Sequence, residues 1–371
     1  MDRGIAITGV SGYVGQRLLH ALSAEPHGDT VIGIDLRPLP ASSTLTRRHG
    51  EPRISIQAPA PTLPRAAGEG REGAIDKDVS VVQPIALPGA FRLLQMDVRD
   101  PALADSLQAE GVGALVHLAF IVQPLHDRRR MQAVNIEGTR AVLEAAARAG
   151  LAQVIFVSSV AVYGAHPDNP IPLTEKSPLR PNPDYSYALD KAEADRITQE
   201  FAARHPGLAV TILRPAIVLG PHVDNFFSCY LIHWPFLLAV HGGDGPMQFV
   251  HEDDLATCIV ACLRRRARGV YNLAGEGSLG WREVLRRARR RYITLPAWWA
   301  YAVAALLWQA RLPVAPPGQL AWVRFPSVVS TDKLAREVGF RPRRTTAAAL
   351  SALLRTRCRS PERTPESLPR R

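Results

Sequence analysis

A tyrosine and a lysine four residues apart form the pattern with the clearest chemistry in the chain. Tyr187 and Lys191 stand in the run YSYALDK, which opens a stretch of helical spacing. Residues at i and i+4 of a helix share a face, so the two side chains are expected to be neighbours. A phenol has an unperturbed pKa of about 10, and a nearby ammonium favours the phenolate. The pair therefore predicts a general acid–base, with Tyr187 moving the proton of a substrate hydroxyl.

A serine at the end of a predicted strand supplies a second polar group. The apolar run 154–157 is followed by two serines, and sites in open parallel sheets lie at the carboxyl ends of strands. The second of them, Ser159, is placed to hold the oxygen of the reacting carbon. Tyr185 lies six residues from Lys191 and off its helical face, so we expect it to line the site. The i, i+4 pair alone also fits a surface aromatic beside a solvated lysine.

The first residues of the chain predict the element that would bind a dinucleotide. The apolar run 5–7 is followed by Gly9, Gly12 and Gly15, and residues 16–22 have helical spacing. Glycines let a backbone turn tightly and approach phosphates closely, and a helix N-terminus favours an anion. The spacing differs from the usual Gly-x-Gly-x-x-Gly, so a glycine turn without a ligand is the alternative interpretation.

An acidic residue follows the second predicted strand. Residues 31–34 are apolar and end in Asp35, about twenty residues beyond the glycine turn. A carboxylate there accepts hydrogen bonds from a ribose 2′-hydroxyl and repels a 2′-phosphate, which favours NAD over NADP. Arg37 keeps NADP as the less favoured alternative. With a nicotinamide in the site, Tyr187 would move a proton while hydride moves to or from the ring.

Apolar strands alternate with helical segments through most of the chain. Near-continuous apolar strands are typical of a parallel sheet covered on both faces, so the fold class is α/β with a doubly wound parallel sheet, a Rossmann fold. The predicted strands are 5–7, 31–34, 91–98, 114–119, 154–159, 209–214 and 270–273, and the predicted helices are 16–22, 101–110, 135–149, 186–204, 253–264 and 281–291.

The composition also predicts a domain organisation. Residues 1–220 are assigned to the NAD-binding Rossmann domain and residues 221–358 to a smaller α/β substrate-binding region. Residues 38–90 are rich in Pro, Ala, Gly and Arg, which predicts a largely disordered insertion with a short strand at 79–82. The polar residues 359–371 are predicted to form a disordered tail.

The chain is basic, with a formal net charge of +11 over 371 residues. Nearly all of this charge comes from arginine, since lysine occurs only at positions 77, 176, 191 and 333. We interpret this excess of arginine as a compositional bias of the source genome and expect no nucleic-acid binding. Attraction of an anionic substrate or anionic lipid stays open.

The four cysteines form neither a C-x-x-C pair nor a cluster with histidine. We therefore expect no metal site and no disulfide framework. Cys258 and Cys262 are predicted to be buried apolar residues on one helix face. The chain runs directly into its first strand without a signal peptide, so a cytoplasmic location is expected.

Residues 298–309 form a Trp-rich apolar stretch with arginines on both sides. It is shorter than the roughly twenty apolar residues that span a bilayer. Three interpretations are open: a core or dimer-interface helix, a lid over an apolar substrate, and contact with a membrane surface, which is the least favoured.

Taken together, these motifs resemble the extended short-chain dehydrogenases/reductases, the NAD-dependent epimerase/dehydratase family. The resemblance covers roughly residues 3–350 apart from the insertion. The matching stretches are TGVSGYVG at 8–15, ID at 34–35, MDVRD at 96–100, VHLAF at 116–120, VNIEGT at 134–139, SSVAVYG at 158–164, YSYALDK at 185–191, LRPAIVLGP at 213–221 and FVHEDDLA at 249–256.

The resemblance implies a small-molecule substrate, a homodimer and a role for each matching position. Ser159, Tyr187 and Lys191 would be the catalytic triad, and Lys191 would also bond the nicotinamide ribose. Asn135 would support the neighbouring strand, and Asp253 and Asp254 would cap a helix as a structural signature of the family. The implied cofactor-binding residues are Gly9, Gly12, Tyr13, Val14 and Gly15 in the turn, Asp35, Asp97 and Val98 toward the adenosine, Leu118 and Ala119 along the cofactor path, and Pro215 near the nicotinamide.

Two departures from the family pattern concern the substrate. Val160 and Ala161 replace the acidic pair of the sugar-nucleotide dehydratases, which argues against dehydration. The run 246–249 lacks the arginine that sugar-nucleotide epimerases place there against a diphosphate. We therefore expect an NAD-dependent oxidoreductase acting on a secondary alcohol or ketone, with Tyr187 as acid–base. A nucleotide-sugar epimerase that retains NAD is the alternative, and a non-catalytic dinucleotide sensor is less favoured.

Overall fold

The structure is a computed structural model that describes residues 4–24, 30–39, 55–57, 90–123, 125–234, 236–311 and 316–357. Most of the predicted insertion, its predicted strand at 79–82 and the predicted tail at 359–371 lie outside these residues.

A parallel sheet forms the centre of the molecule. In the described part of the chain, eight strands follow the order β11–β7–β6–β5–β1–β2–β4–β3, and every neighbouring pair is parallel. This confirms the predicted doubly wound α/β fold. The strands are β1 (Gly4–Thr8), β2 (Thr30–Asp35), β3 (Ser55–Gln57), β4 (Ala90–Gln95), β5 (Val112–His117), β6 (Gln153–Val157), β7 (Ala209–Pro215), β8 (Ile217–Leu219), β9 (Leu237–Val240), β10 (Phe249–His251), β11 (Gly269–Leu273) and β12 (Tyr292–Leu295).

Helices cover both faces of this sheet. Leu18, Leu19 and Ile259 pack against one face, and Val142 and Phe201 pack against the other. The helices are α1 (Tyr13–Ser23), α2 (Leu103–Ala109), α3 (Arg128–Gln132), α4 (Gly138–Arg148), α5 (Ser186–Arg204), α6 (Phe226–His233), α7 (Glu252–Arg265), α8 (Trp281–Arg287), α9 (Ala297–Gln309), α10 (Ala321–Arg324), α11 (Asp332–Glu337) and α12 (Thr346–Arg357).

Element boundaries differ from the predicted ones where side chains capture backbone groups. The predicted strand 114–119 ends at His117, because the N–H groups of Leu118 and Ala119 turn toward Thr8 Oγ1, at 3.2 and 3.3 Å. Strand β3 falls inside the segment predicted to be largely disordered. It spans only three residues, too few to show a periodicity in the sequence.

The second half of the chain both returns to the main sheet and builds a core of its own. Helix α7 packs on α1, and β11 pairs with β7. Cys258 and Cys262 are fully buried in α7, as predicted. A separate core forms around Trp281 and Phe249, where β8 pairs with β10 and β9 pairs with β12. The division at residue 220 stays a prediction.

Within the described residues, no helix is long and apolar enough to cross a bilayer. The same residues contain no group of three metal-ligating side chains.

Candidate active site

The glycine turn closes directly onto the next strand end. Gly9 has a φ of +71°, and a Cβ there would lie 2.7 Å from the backbone nitrogen of Ala119. A Cβ on Gly15 would lie 2.5 Å from the carbonyl oxygen of Val10, where α1 meets the turn. Gly12 is the N-cap of α1 and makes no side-chain cap, so Tyr13 and Val14 begin the helix. Glycine is therefore the only residue that fits positions 9 and 15. The N-terminus of α1 carries no side-chain cap on the side of the turn.

Asp35 lies beside this turn. Its carboxylate accepts the backbone N–H groups of Ser11 and Arg37, both at 3.0 Å, and the residue is only 9% exposed. The guanidinium of Arg37 lies 3.8 Å from the same carboxylate. Three features together fit a dinucleotide: a turn with glycine at its crowded positions, a helix N-terminus with no acid in its first turn, and an ordered carboxylate.

A buried chain of hydrogen bonds fixes the neighbouring strand end. Thr8 Oγ1 lies 2.8 Å from Nδ1 of His117, whose Nε2 lies 3.2 Å from the Thr139 hydroxyl. Burial lowers the pKa of His117 to about 3, so the ring is neutral. Asn135 binds the backbone N–H of Ile121 at 2.7 Å and so supports the segment beyond β5, as expected. These bonds position Leu118 and Ala119.

Asp97 and Val98 follow β4, on the side of the sheet where an adenosine is expected. The Asp97 carboxylate is held in a fork by the Arg99 guanidinium, at 2.9 and 2.6 Å. That hydrogen-bonded pair lowers the pKa of Asp97, which stays ionised. Val98 is buried. The partner Arg99 was missed in the sequence, although it stands inside the MDVRD motif.

The structure brings Ser159, Tyr187 and Lys191 into one cavity. Ser159 precedes a short helical turn at 160–163, and its hydroxyl accepts the N–H of Ala161 at 3.1 Å. Burial raises the pKa of Tyr187 to about 12, and the polar side chain of Ser159 opposes that rise. The phenol is therefore neutral in this protein at ordinary pH.

The ammonium group of Lys191 is held at the end of β6. Its Nζ donates to the carbonyl oxygen of Val157 at 2.7 Å and lies 3.5 Å from the ring centre of Phe120. Burial lowers the pKa of Lys191 to about 7, while the Asp195 carboxylate acts in the opposite direction. The expected stabilisation of a Tyr187 phenolate by Lys191 stays a prediction.

A buried ion pair holds helix α5 against the sheet. Asp195 of α5 and Arg214 of β7 are both fully buried, with a nitrogen–oxygen distance of 2.7 Å. The Ser158 hydroxyl donates to Asp195 at 2.6 Å, and Arg214 also donates to the Tyr163 hydroxyl at 2.8 Å. Asp195 was missed in the sequence, although it stands one helical turn after Lys191.

The cavity has a volume of about 230 Å³ and is walled on one side by the C-terminal region. In the described lining, Lys191 is the only charged side chain. Among the predicted site residues, the cavity is lined by the triad and by Tyr13, Val14, Leu118 and Pro215. The other predicted cofactor-binding residues lie outside it, namely Gly9, Gly12, Gly15, Asp35, Asp97, Val98 and Ala119. Lining residues that sequence reasoning missed include Phe120, Asn225, Phe226, Phe227, Tyr230, Leu238, Met247, Gln319, Leu320, Trp322 and Val323.

The family model described as the NAD dependent epimerase/dehydratase family matches residues 5–274, most of the chain. The chain belongs to the NAD-dependent epimerase/dehydratase family. It is therefore an enzyme of the extended short-chain dehydrogenase/reductase type, and NAD is the cofactor of its family. The contacts of individual residues with NAD stay predictions.

Relatives and solved structures of similar fold carry different names. An uncharacterized protein of Mycobacterium tuberculosis is 26% identical over 276 residues, 74% of this chain and 73% of the relative. Sterol demethylase protein B of Methylococcus capsulatus is 30% identical over 233 residues, 59% of this chain and 67% of the relative. The structure of UDP-glucose-4-epimerase from Stenotrophomonas maltophila with bound NAD has a TM-score of 0.66 at 18% identity, over 96% of this chain and 98% of that chain.

Asp253 and Asp254, a predicted cap of this family, do not cap α7. The cap is the side chain of His251, which accepts the N–H of Asp253 at 3.1 Å. Asp253 instead forms an ion pair with Arg17 of α1. Asp254 accepts the N–H groups of residues 343 and 344, at 3.0 and 3.1 Å. The acidic pair thus joins α7 to α1 and to the C-terminal segment.

Proposed function

We propose that this enzyme is a dehydrogenase or ketone reductase that exchanges its NAD and acts on a secondary alcohol or ketone of an apolar molecule. The observation that carries this proposal is the cavity wall. A nucleotide sugar has a diphosphate, which needs cationic groups or several N–H donors, and Lys191 alone is charged in the described lining. Aromatic and aliphatic side chains supply most of the remaining surface. This wall suits a substrate with a single polar centre.

The polar centre of the substrate would meet Ser159 and Tyr187. In reduction, the Tyr187 hydroxyl gives its proton to the carbonyl oxygen, while the Ser159 hydroxyl donates a hydrogen bond to the same oxygen. NAD, when bound and reduced, supplies the hydride to the carbonyl carbon. The tyrosine is left as a phenolate, which a protonated Lys191 stabilises. Oxidation of an alcohol reverses each transfer.

Val160 and Ala161 also line the cavity. Both side chains lack a titratable group, so they provide neither the acid nor the base that loss of water needs. This supports simple hydride transfer rather than dehydration.

The test begins with protein purified without added cofactor. After denaturation, the supernatant is assayed for NAD and NADP, and the native protein is then tested with NADH and a panel of cyclic and steroid-like ketones. We expect an empty protein that binds NADH and oxidises it with apolar ketones. Stoichiometric retained NAD with interconversion of UDP- or dTDP-sugars would establish the epimerase alternative instead. This alternative is tested because the fold is shared with a UDP-glucose-4-epimerase. Retained NADP would contradict the role of Asp35.

Location and oligomeric state belong to the same proposal. We place the enzyme in the cytoplasm, because Cys258 and Cys262 are unoxidised thiols in α7, which suits a reducing compartment. Cell fractionation tests this. A homodimer is implied by the family, and light scattering that reports a monomer would exclude it.

A further inference from the structure

Helix α9 turns its bulky apolar side chains toward water. Trp298 is 69% exposed, Trp299 50% and Leu306 67%, whereas Ala300 and Ala304 are buried beneath them. At 100° per residue, the two tryptophans and the leucine fall on one side of the helix and the two alanines on the other. These three exposed side chains do not fit a core helix, whereas a dimer-interface helix, a lid and contact with a membrane surface stay open for this stretch.

Further exposed apolar side chains lie on the paired strands that precede α9. Tyr292 and Ile293 of β12 are exposed, and so is Phe236, which stands just before the β9 residue paired with Tyr292. We call Phe236, Tyr292, Ile293, Trp298, Trp299 and Leu306 the aromatic face. These are six of the nine large apolar side chains that are most exposed in the described part of the chain. Single exposed apolar residues are ordinary, but a patch of this kind marks an interaction surface.

Positive charge lies next to the aromatic face. Residues 281–311 contain seven arginines and one acidic residue, Glu283. Glu283 pairs with Arg286 and Arg287 of its own helix. Arg289, Arg291 and Arg311 are exposed on either side of the aromatic residues in the chain. The surface therefore combines exposed tryptophan with an excess of arginine.

We propose that the aromatic face docks on the surface of a bilayer that contains anionic lipid. Tryptophan and tyrosine favour the membrane–water interface, and arginine at its edge is attracted by anionic headgroups. A second copy of this chain is a poorer occupant, since a symmetric pair would place two arginine-rich surfaces against each other. Helix α9 has thirteen residues and would lie along the surface.

The same region also forms the wall of the catalytic cavity. Ala300 and Ala304 pack in one apolar cluster with Trp281 and Leu320, which line the cavity. Docking would therefore set the cavity wall at the lipid surface. An apolar substrate dissolved in lipid would suit this arrangement. This statement about the substrate rests on the proposed function, whereas the proposal that the aromatic face docks on a membrane does not depend on it.

The test is co-sedimentation of the full chain with vesicles of phosphatidylcholine, with and without phosphatidylglycerol. We expect binding to the anionic vesicles that weakens as salt is raised. The double variant W298S/W299S removes the two exposed indoles, and we expect its affinity for the anionic vesicles to fall by about tenfold or more. The matched control is I171S, which removes an equally exposed apolar side chain outside the aromatic face, 60% exposed in the wild type, and should bind as the wild type does.

A second variant tests the charge. In R289E/R291E the indoles are intact, and we expect the preference for anionic over neutral vesicles to disappear. Circular dichroism melting checks that each variant is folded. Equal sedimentation of the wild type and W298S/W299S would overturn the proposal, as would absence of binding to anionic vesicles. A dimer in light scattering that W298S/W299S converts to a monomer would assign the face to a second copy instead.

Discussion

At the Tyr187 hydroxyl, burial and the polar side chain of Ser159 act on the pKa in opposite directions, and burial prevails. A neutral phenol is the form that donates a proton to a ketone, so removing its hydroxyl should stop the reaction. We expect Tyr187→Phe to lower turnover by about 10²–10⁴-fold, the usual contribution of a positioned acid–base. Binding of NADH, followed by its fluorescence, should not change, because the ring stays in place.

The matched control is Tyr185→Phe. Tyr185 lies in the same cavity as Tyr187 and Gln319, with its ring centre 5.6 Å from that of Tyr187. We expect this variant to change KM and to keep kcat. If Tyr187→Phe kept its activity while Tyr185→Phe lost it, the two roles would be reversed.

Lys191 is a case in which a functional residue opposes folding. Its pKa is about 7 in the protein against about 10.4 in an unfolded chain, so unfolding takes up a proton between these values. The wild type should therefore gain stability as pH rises through this window, by at most about 1.4 kcal/mol per pH unit. Below pH 7 both states are protonated and the cost of the buried ammonium is fully present.

We expect Lys191→Met to lower activity and to raise the free energy of unfolding, most at pH 6 and least at pH 10. Urea unfolding of both proteins across this range measures the difference. A variant less stable than the wild type at pH 6 would show that the bond to Val157 and the contact with Phe120 outweigh the burial of the charge.

Sequence reasoning predicted that the three triad residues would share one site, and the structure places them in one cavity. The i, i+4 rule and the strand-end rule made this predictable, because both act over short distances. Sequence reasoning did not find the partners that hold the triad residues. Phe120 beneath Lys191 and the Asp195–Arg214 pair depend on which strands are neighbours in the sheet, and spacing along the chain does not contain that information.

At the scale of elements, the turn between β1 and α1 offers a direct test of the dinucleotide cradle. Gly9 and Gly111 have similar positive φ values, +71° and +64°, but only Gly9 is crowded. A Cβ on Gly9 would lie 2.7 Å from a backbone nitrogen, whereas a Cβ on Gly111 would meet nothing within 4 Å. Both alanine variants should lose about 1–2 kcal/mol from the left-handed backbone.

Gly9→Ala should lose more stability than Gly111→Ala, because the turn must shift away from Ala119. It should also lose NADH binding, while Gly111→Ala should bind NADH normally. Urea unfolding and NADH titration of the two variants measure both effects. Equal loss of stability with intact binding in Gly9→Ala would show that the turn does not hold the cofactor.

The elements themselves were largely predictable, since long apolar runs and helical spacing are local signals. Their ends were less so. Strand β5 stops early because Thr8, more than a hundred residues away in sequence, captures the next two N–H groups. Helix α7 is capped by His251 rather than by its acidic pair, because that pair bonds to other elements.

At the scale of the molecule, the sheet is completed late in the chain. Strand β11 pairs along its whole length with Thr211–Pro215 of β7, and α7 buries Cys258 and Ile259 against the face that α1 covers. A division at residue 220 follows the order of the sequence motifs, but the packing joins residues from both sides of it. Pairing between such distant segments leaves no periodic signal in the sequence.

This packing predicts the behaviour of fragments. A fragment of residues 1–220 should neither unfold cooperatively nor bind NADH, because it lacks α7 and leaves the edge of β7 and the outer side of α1 exposed. The control is a fragment of residues 1–357, which keeps every described element and should match the full chain. Thermal melting by circular dichroism and NADH titration compare the three proteins. A cooperative transition with NADH binding in the short fragment would establish residues 1–220 as an independent domain, and α7 and β11 would then be additions to a sheet that folds without them.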